Sequence, residues 1–126
     1  MVKKTMINRE DNPEFLNSFL DYSITILNKS PNSVKEYNYD LAMFLKYMKI
    51  HFKLTNETDF DKIRIDDFDI DTLKRITLED IHSFVSFIAI NNRSKAATRA
   101  RKISTIRVFF KYLSVKNKYS IKNPLD

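Results

Sequence analysis

Not one glycine occurs in the 126 residues of this chain, and no other feature narrows its choice of fold so far. Glycine is the residue that enters left-handed backbone at no steric cost. Tight two-residue hairpins, phosphate-cradling P-loops, dinucleotide-binding turns and glycine-hinged lids all depend on it. Their absence argues against a sheet of hairpins and against nucleotide-dependent chemistry. It favours helices closed by asparagine, proline or short loops. There are also no cysteines, which excludes a disulfide scaffold, thiolate-bound zinc and a cysteine nucleophile, and fits a reducing, cytoplasmic setting. With 43% hydrophobic and 13% aromatic residues the chain is long and apolar enough to bury a core as one domain. No apolar run reaches the ~20 residues a bilayer span requires, and the N-terminus lacks a signal-peptide core.

Apolar residues recur at helical spacing through most of the chain. Residues 1–11 read as a flexible arm. Asn12, Pro13 and Glu14 read as a helix start, with Asn12 as the cap. Phe15, Phe19, Tyr22 and Ile26 then form a stripe to about residue 28, widened by Leu16, Leu20 and Leu27. A second helix starts at Ser30–Pro31, with Ser33 and Glu36 as an alternative capping box, and runs to about residue 50 or to Lys53, with Val34, Tyr37, Leu41, Phe44, Leu45, Met48 and Phe52 inward. Its other side carries Lys35, Tyr39, Ala42, Lys46, Lys49 and Lys53 within an arc of about 80°. Residues 54–75 are rich in aspartate and read as an acidic connection facing solvent, holding one short helical turn at Ile70, Leu73 and Ile76. The run Asp67-Phe68-Asp69-Ile70-Asp71 looks superficially like a calcium loop. The obligatory glycine position holds Thr72 and the bidentate glutamate position holds Leu78, so calcium is not expected. No metal, cofactor or small-molecule ligand is expected either. Thr77 and Asp80 form a capping box for a third main helix with Ile81, Phe84, Val85 and Ile88 inward. His82 is left on the outside.

The last main helix begins near Arg93–Ser94 and is the most charged. Ile103, Ile106, Phe110 and Leu113 mark its packed side, with Phe109 beside them. Ala97, Arg101, Ser104, Val108 and Lys111 lie opposite, flanked by Arg107. Small side chains let a helix approach a surface closely, and long cations reach past them, as a nucleic-acid groove requires. Charge is distributed to match. Residues 54–93 carry a net −4 and residues 94–126 a net +8, within a total of +6. So polarised a chain steers one side towards a polyanion. A charged helix face is also the ordinary solvated surface of a bundle, and the basic stripes alone do not separate the two readings.

Taken together, Ser30-Pro31-Asn32-Ser33, Tyr37, Asp40-Leu41, Phe44 and Tyr47 resemble the second helix of the core-binding domain of tyrosine recombinases. This is the SAM-like N-terminal domain of phage integrases, here of the Xer-like branch. Thr77, Ile81 and Phe84 are similar to its third helix. Thr98, Arg101, Ile103-Ser104, Ile106-Arg107, Phe109-Phe110 and Tyr112-Leu113 are similar to its fourth, and Asn123-Pro124 to its exit into a linker. The resemblance implies an all-α, compact bundle of four main helices with orthogonal, SAM-like packing, spanning residues 12–122, with the linker starting at 123–126. It implies half of a clamp on duplex DNA, whose second and fourth helices cross the major groove of a recombination half-site. By its residues, Ser33, Lys35 and Tyr39 approach DNA from the second helix and Thr98, Arg101, Thr105 and Arg107 from the fourth. The stripes read above add Lys46 and Lys111. Ala97 and Val108 depart from the cations that relatives place there.

The resemblance further implies that strand cleavage through a phosphotyrosine belongs to a separate C-terminal domain. This chain would then be a non-catalytic part of a DNA-cleaving and rejoining enzyme. Tyr112 belongs to a core-flanking Tyr-Leu pair and is no candidate nucleophile. The partners so implied are double-stranded DNA and, in the full enzyme, other recombinase protomers, with the isolated domain monomeric and no membrane involved. Two other readings stay open. A helical protein-interaction module would need an apolar patch, for which the aromatic first helix is the place to look. A helix-turn-helix regulator would use the short junction at Asn91–Ser94, although basic residues spread along the last helix fit a recognition helix poorly.

Overall fold

The computed structural model describes residues 9–116 and 118–125. Most of the arm expected over residues 1–11 therefore lies outside the described residues. Every element among the described residues is helical. These are α1 (Glu14–Thr25), α2 (Pro31–His51), α3 (Ile70–Arg75), α4 (Leu78–Asn91) and α5 (Ala96–Val115), with 3-10 turns at Arg9–Asp11 and Phe60–Lys62. The chain is thus all-α, with four long helices and α3 as the short turn in the acidic connection. None of the described helices is long and apolar enough to cross a membrane. Packing divides the chain, read as one domain from its sequence, into two compact units, the first ending at Phe68 and the second beginning at Asp69.

In the first unit α1 packs on α2. Phe15, Leu16, Phe19 and Leu20 of α1 and Leu41, Phe44, Leu45 and Met48 of α2 are buried. Each such side chain contributes about 1.5–3 kcal/mol by leaving water. Phe19 stacks on Tyr37 at 5.6 Å, and Phe15 meets Phe68 edge-on at 6.2 Å. α2 begins where expected, because the Ser30 hydroxyl accepts the Ser33 amide at 3.2 Å and Pro31 fills the first turn. The start of α1 differs from expectation. Asn12 does not cap it. Its side chain is buried and donates to Asn38 Oδ1 at 2.8 Å and Asn17 Oδ1 at 3.1 Å, tying the entry segment to both helices. From the same segment Arg9 reaches Asp21 at 2.9 Å. α1 also ends at Thr25, short of residue 28, and Ile26 is left 66% exposed.

Without glycine, the left-handed positions among the described residues fall to Asn28, Lys53, Arg93 and Ser120, with φ between 50° and 59°. Lys53 shows how this works. It sits just past the end of α2, and the Leu54 amide returns to the Lys49 carbonyl at 2.7 Å and the Lys53 amide to the Ile50 carbonyl at 3.0 Å. Those bonds satisfy the last carbonyls of α2 and offset the steric cost of a side chain in left-handed backbone.

In the second unit α4 packs on α5. α3 is capped by Asp69, whose Oδ1 accepts the Thr72 amide at 2.8 Å. The Asp69 carboxyl is held below the ordinary carboxylate range by bonds from the Thr72 side chain and then its amide. The Thr77–Asp80 capping box of α4 is present, with the Thr77 amide donating to Asp80 at 2.8 Å. α5 starts at Ala96, two residues later than Ser94, because Arg93 turns left-handed and delays the helix. Beyond α5 the chain does not simply trail off. Tyr119 and Ile121 are buried, Tyr119 lies 6.1 Å from the Tyr112 ring, and Asn123 is buried with its side chain accepting the Leu125 amide at 3.0 Å.

Candidate nucleic-acid interface

The outer strip of α5 is built from side-chain size and charge. Ala97, Ala100, Arg101, Ser104, Arg107 and Lys111 are exposed and follow each other at spacings of three or four, or as neighbours. Thr98 is half-buried at one margin and Val108 at another. α5 contains no aspartate or glutamate, so no carboxylate on the helix offsets these cations. Arg99, beside the strip, turns back to donate to the Ser94 carbonyl. Ala100 was not singled out from the sequence, although its position between Ala97 and Ser104 marks the same arc.

The packed side of α5 is turned by about 60° from the arc its apolar residues mark, taking 100° per residue. Lys102, Thr105 and Tyr112 come inside, at 4%, 2% and 6% exposed, and Ile103 moves to the margin. This relocates one expected contact. The Thr105 hydroxyl donates to the Arg101 carbonyl at 3.1 Å within the helix, and its side chain has left the surface. Aromatic bulk explains the turn. Phe109, Phe110 and Tyr112 are larger than Ile103, and burying them removes more apolar area from water.

α2 presents a shorter surface than its lysine spacing promised. Ser33, Lys35 and Tyr39 lie on its first half, with Lys35 exposed and the other two half-buried. The Ser30 hydroxyl bonds the Ser33 hydroxyl at 3.1 Å. The second half is occupied by the chain's own acidic connection, which the sequence reads as facing solvent. Ile63 and Ile65 are buried while Lys62, Arg64 and Asp66 point outward. That alternation makes residues 63–66 the extended centre of a strap over residues 57–67, with one apolar side and Phe68 at its end. The strap draws in two lysines. Lys49 is 7% exposed, and its ammonium donates to the Arg64 carbonyl at 2.9 Å and to Asp67 Oδ1 at 2.6 Å. Burying a cation is tolerated because both partners are supplied. Lys46 donates to the Asp61 carbonyl at 3.3 Å and sits 5.9 Å from the centre of the Phe60 ring. The signal for this was the Ile63, Ile65, Phe68 spacing, which demands a surface to dock on.

The calcium-like run is spent on structure. Asp67 pairs with Lys49, and Asp69 caps α3. Just ahead of it, Asp66 takes a two-pronged bond from Arg64 at 2.7 and 3.2 Å. That guanidinium holds the Asp66 carboxyl below its ordinary range. No group of three or more potential ligands for a metal ion occurs among the described residues. His82 is exposed, and His51 stacks on Tyr47 at 5.4 Å at the end of α2.

The family described as phage integrase, N-terminal SAM-like domain, matches residues 64–117, which take in α3, α4 and α5. Tyrosine recombinase XerC of Caldanaerobacter subterraneus subsp. tengcongensis is 37% identical over 113 residues. That alignment covers 89% of this chain, so it runs across α2 as well as α5. The chain spans only 32% of the length of that recombinase. No solved structure matches it.

Proposed function

We propose that this chain, which belongs to the phage integrase N-terminal SAM-like domains of Xer-like tyrosine recombinases, binds duplex DNA at a recombination half-site. The observation that carries this reading is the outer strip of α5. Its exposed arginines and lysine stand among alanines and a serine on a helix with no carboxylate, inside the segment that the family matches. Alanine and serine at the centre of the strip let the helix axis come near a groove. Arg101, Arg107 and Lys111 then reach phosphates or base edges at its margins. Thr98 adds a hydroxyl at the leading end. From α2 the contributing residues are Ser33, Lys35 and Tyr39. Thr105 is left out of this set because it is buried, and Lys46 because it is held by the strap.

In this reading the chain supplies binding and position. The cutting and rejoining of strands are carried by a part of the parent recombinase that this chain does not span, and other protomers of that recombinase are its second class of partner. The protein acts in the cytoplasm, where its DNA is. The test is binding to short duplexes across a salt series, comparing the parent with Arg101→Ala/Arg107→Ala. Each phosphate contact releases counterions and adds about 0.9 to the slope of log K against log salt. The double variant is expected to remain folded, to bind at least tenfold more weakly at low salt and to lose about 2 from that slope. Equal binding by parent and variant, or no duplex binding by the parent, overturns the reading.

A further inference from the structure

The strap does more than bury two isoleucines, and its place along α2 has a consequence for how far a bound duplex reaches. Resting on the reading of this chain as a DNA-binding domain, we propose that the 57–67 segment is a built-in acidic stop. It ends the DNA-contacting surface of α2 after Tyr39 and keeps Lys46 and Lys49 from phosphate. Three observations support this. Lys49 is buried with two partners in the strap, the Arg64 carbonyl and Asp67. Lys46 is turned onto the same segment by the Asp61 carbonyl and the Phe60 ring. The strap is anchored by buried Ile63, Ile65 and Phe68, and lifting it off α2 would return that apolar surface to water.

Its outward side adds repulsion. Glu57, Asp59 and Asp61 are exposed, and of their cationic neighbours Lys62 stands 4.0 Å from Asp59. A phosphate chain continuing along α2 past Tyr39 would meet carboxylates where the sequence alone shows lysines. Like charges at such range cost affinity unless salt screens them. The stop therefore acts on specificity. It removes a sequence-independent phosphate contact and leaves α2 to approach DNA by its first half, where Ser33, Lys35 and Tyr39 stand.

The experiment uses this chain, short duplexes and a salt series with five variants, Arg101→Ala/Arg107→Ala among them. Lys46→Ala is expected to leave the salt slope unchanged, while Lys35→Ala lowers it by about 1. Asp59→Asn/Asp61→Asn keeps the 3-10 cap, since asparagine caps as well as aspartate. It is expected to raise low-salt affinity several-fold more than Asp71→Asn/Glu79→Gln, an equal change in net charge on exposed residues elsewhere. Circular dichroism confirms that each variant is folded. A Lys46→Ala variant that loses as much slope as Lys35→Ala overturns the stop, as does a strap variant no better than its charge-matched control. Failure of the parent to bind any duplex removes the DNA-binding reading itself. Loss of binding on Arg101→Ala/Arg107→Ala with no strap effect keeps that reading and discards only the stop.

Discussion

α2 and α5 carry basic stripes of similar length in sequence, yet the folded chain treats them oppositely. α5 keeps Arg101, Arg107 and Lys111 outward on a helix without a single carboxylate, and only Lys102, on its other side, turns inward. On α2 the chain lays its own acidic segment over the second half of the stripe and binds Lys46 and Lys49 to it. A helical wheel ranks residues by direction and says nothing of what arrives from elsewhere in the chain. A lysine at the edge of an apolar face has an aliphatic stem suited to burial. It goes inside as soon as a carbonyl and a carboxylate are brought to its ammonium.

The largest effects are expected at the cores that hold the two helices. Phe44 and Phe109 are both fully buried, one on each helix. Phe44→Ala and Phe109→Ala are each expected to cost about 3–5 kcal/mol, measured by denaturant unfolding. Amide exchange then tells whether each loss stays within its own unit. If Phe109→Ala also frees the amides of α2, the two stripes are energetically coupled and cannot be compared as separate surfaces.

The next effect is on binding. Arg101→Ala/Arg107→Ala is expected to remove about 2 from the salt slope of duplex binding, against no change for Lys46→Ala. Equal effects would erase the contrast between an outward stripe and a covered one.

A smaller effect concerns the caps beside the strap. The Asp69 carboxyl has its pKa lowered in the folded chain by the bonds from Thr72, so its contribution is complete above the unfolded value and fades as pH falls below it. Asp69→Ala is expected to cost about 1 kcal/mol at neutral pH. The gap between variant and parent should close below about pH 4, as seen by unfolding midpoints. A gap that persists at low pH would mean the carboxylate is not the source.

The smallest effect is at the end of α2. Lys53 holds φ at 59°, and Lys53→Gly is expected to stabilise by about 0.5 kcal/mol, the steric relief exceeding the entropy glycine adds to the unfolded chain. A calorimetric midpoint that falls instead would show that the Lys53 side chain makes a contact worth more than the strain.

Much of the helical framework was legible because its signals are local. Ser30–Pro31 and Thr77–Asp80 mark helix starts within four residues, and the apolar periods of α2 and α4 name most of their buried faces. Where local signals competed with distant partners, they lost. Asn12 has the chemistry of a cap, yet a buried Asn38 brought close by the α1–α2 packing takes its side chain instead. On α5, Thr105 stands on the boundary of the apolar arc, and the bulk of Phe109, Phe110 and Tyr112 rolls it inside. Of the candidate site, Lys35, Arg101, Arg107 and Lys111 stand exposed as their spacing predicted.

Residue order alone makes this chain helical, leaves its ends and turns without glycine and makes its last helix its most cationic. Those properties follow from composition and from spacing within a few residues. Which cations remain at the surface depends on packing between distant segments. Lys49 and Asp67 lie eighteen positions apart, and their meeting at 2.6 Å depends on where Ile63, Ile65 and Phe68 find apolar surface to cover. Burial of the strap supplies the free energy, and the ion pair follows from the position burial imposes.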